Sequence, residues 1–212
     1  MDVVVLGGHG QIARQLLARL AARGDRARGI VRNPDHADDL RGVGAEPVVG
    51  DVERENITPL LAGADAVVMA AGAGPGSGPE RKRTVDLGGA LKLIEAAKAN
   101  GVDRYVMVSA MGAADPESAQ GPMRPYIQAK ADADAALVAS GLEFTIVRPG
   151  RLTDDPGTGG VEAAERLGRR GSITRADTAA VLLAALDTPS TIGRTFEVLE
   201  GKTPIAQAVA AL

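Results

Sequence analysis

The chain has 212 residues, a net charge of −3 at pH 7 and no cysteine, which excludes disulfides and thiolate metal sites. Two histidines are too few for a zinc site, and lysine and arginine are spread along the chain, leaving no basic stripe for nucleic acid. No apolar run is long enough for a membrane span, and Met1-Asp2 leads straight into an apolar strand, so the expected address is cytoplasmic, with no signal peptide.

This length supports one substantial core, and the expectation is a single domain over residues 1–212. With no Trp, two Phe and two Tyr, that core has to be aliphatic.

Val3-Val4-Val5-Leu6 runs into Gly7-Gly8-His9-Gly10-Gln11-Ile12-Ala13, which predicts a strand, a tight turn and a helix N-terminus. Gly7 can bend the chain at positive φ, Gly10 lets a phosphate approach the backbone, and Ala13 lets helix pack on strand. The first-turn amides of Gly10, Gln11, Ile12 and Ala13 then point at any anion placed there, with the helix dipole behind them. The spacing G-x-x-G-x-x-A is a relative of the dinucleotide fingerprint, although such turns also serve packing alone.

A helix over residues 11–23 leads to a strand over 26–32, ended by Asn33-Pro34. Arg32 stands where a nucleotide-binding unit meets the adenosine ribose. An acid there would hold the 2′-hydroxyl, whereas arginine accepts a 2′-phosphate, so the residue type favours NADP(H). A short helix over 34–41 and a strand over 45–49 follow, then Gly50-Asp51-Val52. Asp51 is placed either to accept from an adenine amino group, with Val52 over the ring, or to cap a helix over 54–62. The next strand, 65–70, ends in small residues from Ala71 and Gly72 through Pro75 to Pro79, which permit close passage of a ligand.

A helix over 81–100 closes on Gly101, with Gly88-Gly89 inside it marking close packing. Arg104-Tyr105-Val106-Met107-Val108 is a strand that delivers Ser109 to the carboxyl edge of the sheet and places Tyr105 in the core. Pro125 opens a helix carrying Tyr126-Ile127-Gln128-Ala129-Lys130, and the i,i+4 spacing sets phenol and ammonium on one face. A cation so placed lowers the phenol pKa toward the range a general acid or base needs. Asp132 and Asp134, interleaved with alanines, suit a solvated face or a polar interface.

After a strand over 142–147 come Arg148-Pro149-Gly150 and an aperiodic stretch, 151–170, which with an extended piece at 172–174 makes a substrate-facing flap. A helix over 175–186, a strand over 194–199 and a helix over 203–212 complete the chain. This alternation predicts an α/β fold with a doubly wound parallel sheet of Rossmann type.

The motifs quoted so far, together with Val147-Arg148-Pro149-Gly150-Arg151-Leu152-Thr153, resemble the short-chain dehydrogenase/reductases over nearly the whole chain. The likeness is to their atypical, single-domain branch, which includes flavin, biliverdin and quinone reductases and NmrA-like redox sensors. The resemblance implies that Ser109, Tyr126 and Lys130 match the Ser-Tyr-Lys catalytic set. It also implies that Arg32 meets the 2′-phosphate, Asp51 and Val52 the adenine, Ala71 and Gly72 the ribose side, and Pro149, Gly150 and Leu152 the nicotinamide end. In that set Tyr126 donates the proton, Lys130 also holds the cofactor ribose, and Ser109 orients the acceptor oxygen. The turn ends in Ala13 rather than glycine, as is usual in the branch. The chain lacks the large C-terminal lobe of the nucleotide-sugar epimerases, which disfavours sugar nucleotides. A small-molecule substrate with NADP(H) is therefore expected, and monomer and homodimer remain equal alternatives.

Overall fold

The computed structural model describes residues 1–74 and 76–212, so Pro75 of the small-residue loop lies outside the described residues. Strands β1 (Asp2–Leu6), β2 (Arg26–Val31), β3 (Glu46–Val49), β4 (Ala66–Met69), β5 (Arg104–Val108), β6 (Glu143–Pro149) and β10 (Arg194–Glu200) run parallel. With β8 (Gly160–Ala164) and β11 (Thr203–Pro204) they form one sheet ordered β11-β8-β10-β6-β5-β4-β1-β2-β3. The order reverses between β1 and β4, and the crevice at that switch point is where open α/β sheets take ligands.

Apolar clusters fill both faces. On one, α1 (Gln11–Ala22) and α6 (Arg175–Asp187) set Leu16, Leu17, Leu20 and Leu182 against Val3, Val5 and Phe196. On the other, α4 (Gly88–Asn100) and α5 (Arg124–Val138) pack Leu93, Ile94 and Leu137 around the fully buried Tyr105. The shorter helices are α2 (Ala37–Arg41), α3 (Pro79–Arg81) and α7 (Ile205–Ala210).

Four local expectations are corrected. The helix expected over 54–62 is a four-residue 3₁₀ turn, Thr58–Leu61, because side chains compete for the backbone there. Asp51 Oδ1 accepts from Glu53 N–H at 2.9 Å and Asn56 Oδ1 from Thr58 N–H at 3.0 Å. Asp51 is thus an Asx-turn residue, with no helix to cap. The helix expected over 81–100 is broken into α3, a π segment at Lys82–Leu87 and α4. The aperiodic 151–170 stretch contains β7 (Arg151–Thr153), paired with β9 (Ser172–Thr174), and β8, which lies antiparallel to β10. The sheet is therefore parallel only as far as β10. Finally, Thr203 and Pro204 join β8 as a strand, which shortens the last helix to α7.

The loop between β7 and β8 is folded onto the start of α6 by one carboxylate. Asp177, 2% exposed, accepts from Thr158 N–H at 2.8 Å and Gly159 N–H at 2.9 Å. Its own amide donates to the capping Thr174 Oγ1 at 2.9 Å.

Candidate functional site

The first turn of α1 opens on the crevice. Gly7 takes φ +87°, and a Cβ there would stand 2.6 Å from Ala71 Cα, so glycine is what lets the turn reach the end of β4. Gly10 is the N-cap; it donates to Gly7 O at 2.8 Å, and a Cβ on it would crowd that oxygen at 3.1 Å. No side chain caps α1 and no acid stands in its first turn, so the amides of Gln11 and Ile12 meet no competing side-chain acceptor. A cleft of about 370 Å³ runs from this turn between β2, β3 and β4. It gathers Gly7, Gly10, Arg32, Asp51, Val52, Ala71 and Gly72, whereas Gln11 and Ile12 of the expected set are not among its lining residues. A cradle that glycine keeps open, ending on an uncapped helix, fits a dinucleotide diphosphate.

His9 and His36 also line the cleft, stacked ring on ring with centroids 3.6 Å apart. His9 Nε2 lies 2.8 Å from Asp39 Oδ2.

From the cleft a chain of contacts leads to α5. Ala73 N–H donates to Asp86 Oδ2 at 3.2 Å, and Lys130 Nζ sits 3.2 Å from Asp86 Oδ1. Lys130 also donates to Val108 O at 3.1 Å, at the carboxyl end of β5. Both charges are buried, Lys130 at 5% and Asp86 at 1% exposure, and Asp86 Oδ1 has the ion pair but no hydrogen bond. Asp86 belongs to the π segment, where the extra residue per turn breaks the helical register; such bulges concentrate at functional sites.

One turn before Lys130, Tyr126 is partly exposed, with Lys82 Nζ 5.1 Å and Lys130 Nζ 6.0 Å from its ring centre. Its phenol is pushed up from the ordinary value, by burial first; Lys130 pulls it down, but Asp86 and Asp134 oppose that cation. The expectation of a lowered phenol is corrected for a physical reason. Burial outweighs the nearby ammonium, whose pull is further offset by the Asp86 it pairs with.

Ser109 is also differently placed from the oxygen-orienting hydroxyl expected. It is 2% exposed and donates to Asp134 Oδ2 at 2.9 Å, an oxygen that Arg148 Nε shares at the same distance. Asp134 is 3% exposed, not on a solvated face; Asp132 is exposed. Burial raises the Asp134 carboxyl above its usual range, against the pull of Ser109 and Arg148.

Pro149 ends β6, Gly150 joins β6 to β7 and Leu152 lies in β7, and none of the three is among the residues lining the cleft. Gly150 is required by packing, since a Cβ there would fall 2.6 Å from Gly171 O and against Leu199. Sequence reasoning missed Asp86, Glu53 and Arg81. Asp134 alone carried a legible signal, because residues 126, 130 and 134 continue one i,i+4 face.

Comparison with known proteins accords with this geometry. A family model described as NAD(P)H-binding matches residues 7–189. The chain is 42% identical over 212 residues to "Uncharacterized sugar epimerase YhfK" of Bacillus subtilis, covering 99% of each chain. A Bacillus halodurans structure, "Putative NAD-dependent epimerase/dehydratase", superposes with a TM-score of 0.96 at 42% identity over 100% of both chains. The oxidoreductase ylbE of Lactococcus lactis follows at 0.88 and 26%, over 100% of this chain and 96% of that one. The protein therefore belongs to the NAD(P)H-binding family of Rossmann domains.

Proposed function

We propose that the protein is an NADP(H)-dependent reductase of the atypical short-chain type, acting on a small carbonyl, quinone or flavin-like acceptor. The observation that carries this reading is the unbroken path from the cofactor turn to the Tyr126 helix. Gly7 lies against Ala71, Ala73 N–H bonds Asp86, and Asp86 pairs with Lys130.

When bound, the nicotinamide supplies a hydride. An acceptor carbonyl carbon that gains this hydride sends its π pair to oxygen, and that oxygen must take one proton. Tyr126 Oη donates it. A phenol pushed above its ordinary value of 10.0 is fully protonated at neutral pH, so it begins as the acid that reduction requires. Lys130 is fixed by a hydrogen bond to Val108 O and an ion pair with Asp86, and the N–H donors that Val108 does not use would serve a ribose hydroxyl. Arg32, at the end of β2, would take the 2′-phosphate, Asp51 and Val52 the adenine.

Calorimetric titration with NADPH and NADH, followed by a panel of acceptors, tests the reading. Tyr126→Phe should bind NADPH as the natural protein does and lose about 10²- to 10⁴-fold in turnover. Full turnover in that variant removes Tyr126 from the chemistry.

One observation favours a second reading, a dinucleotide-binding redox sensor without turnover. Ser109, the other polar group expected to hold an acceptor, is committed to Asp134 and buried. Under this reading NADPH and NADP⁺ bind, and no acceptor on the panel is reduced.

A further inference from the structure

We propose that Arg81 is a second ligand for the phosphate on the adenosine ribose, and that Glu53 is the positioning residue that holds Arg81 beside Arg32. The inference rests on the reading that Arg32 takes this phosphate.

Three segments far apart in the chain meet at the Glu53 carboxylate. Its Oε2 accepts from Arg32 Nη1 at 3.3 Å and from Arg81 Nη2 at 3.1 Å, while Oε1 accepts from Thr84 Oγ1 at 2.7 Å. The Thr84 hydroxyl pins one oxygen, so the other is presented in a fixed direction to both guanidiniums. The hydrogen bond from Thr84, with the charges of Arg81 and Arg32 behind it, holds the Glu53 carboxyl below its usual range and keeps it ionised.

The arrangement is built for an anion that is larger than a carboxylate. A guanidinium has five N–H donors, and the shared oxygen takes only one from Arg32 and one from Arg81. Both side chains are about half exposed, at 57% and 46%, and both line the cleft that begins at Gly10. Two arginines held against one carboxylate carry net positive charge, and their remaining donors suit the several oxygens of a phosphate. Without Glu53 the two cations would repel and disperse. A ribose hydroxyl needs neither of them, so the pair discriminates between the two dinucleotides rather than strengthening both.

The test measures dissociation constants for NADPH and NADH by calorimetry with the 212-residue chain. Arg81→Gln should weaken NADPH about tenfold or more and change NADH less than about twofold. In a Glu53→Gln background the same change should cost NADPH less than about threefold, a coupling that a purely structural role would not make specific to one dinucleotide. Equal losses for both dinucleotides overturn the proposal. So does an Arg81 effect unchanged by Glu53→Gln. If Arg32→Gln abolishes the preference for NADPH while Arg81→Gln leaves it intact, this inference fails and the Arg32 reading stands. If the natural protein prefers NADH, with Glu53 meeting the 2′-hydroxyl, both fail together.

Discussion

Asp134 shows how much one buried carboxyl can report. Its unfolded-state value is near 3.8 and burial raises it in the folded protein. The stability linked to it is therefore complete below the unfolded value and is lost as pH climbs through the folded one. Asp134→Asn cannot titrate, so the stability difference between the two proteins should move in favour of the variant as pH rises from below the unfolded-state value of 3.8 through the raised folded-state one. Urea unfolding at a series of pH values reads this directly, and a gap that is flat or moves the other way would show that Arg148 and Ser109 outweigh burial. The same residue marks the boundary of what a sequence discloses. Tyr126 and Lys130 could be paired on paper because four positions on a helix make neighbours. Burial is what raises the phenol most, and Asp86, which adds to it, comes from another segment of the chain. Its contact is created by packing, and no local pattern foretells it.

At the scale of elements, legibility followed hydrophobic periodicity. The strands β1, β2, β4, β5 and β6 were readable as apolar runs, and Gly101, in the left-handed region at φ +66°, ends α4 as expected. What was unreadable lay where side chains bind nearby backbone: Asp51 and Asn56 undo a helix that composition alone would allow. The loop before β8 belongs to the same class, since its order comes from Asp177 on a later helix. Asp177→Ala leaves Thr158 and Gly159 amides without their acceptor while Thr174 still caps α6. Hydrogen exchange at those two amides should quicken about tenfold or more, with the α6 core unaffected. Unchanged exchange at Thr158 would mean that the loop holds its shape without the carboxylate.

Across the whole molecule, the fold that places the cleft also has to finish its sheet. β3 is one edge strand, and Gly50 N–H reaches back to Val31 O at 3.0 Å. Amides alternate along a strand, so Glu46 and Val48 point the same way as Gly50, and Pro47 stands where an N–H would face outward. Two residues on, Val49 is 53% exposed, a side chain that an unguarded edge would offer to another chain. Pro47→Thr should therefore raise self-association at high concentration while altering stability by less than about 1 kcal/mol, as light scattering and urea unfolding would show. An unchanged scattering mass would leave the edge guarded by other means.

The aliphatic interior has a further, optical consequence. With no indole anywhere in the chain, ultraviolet emission comes from two tyrosines, and Tyr105 is sealed away from solvent. Tyr126, flanked by the ammonium groups of Lys82 and Lys130, is the tyrosine that reaches solvent, so a collisional quencher such as iodide reads this one side chain and leaves Tyr105 bright.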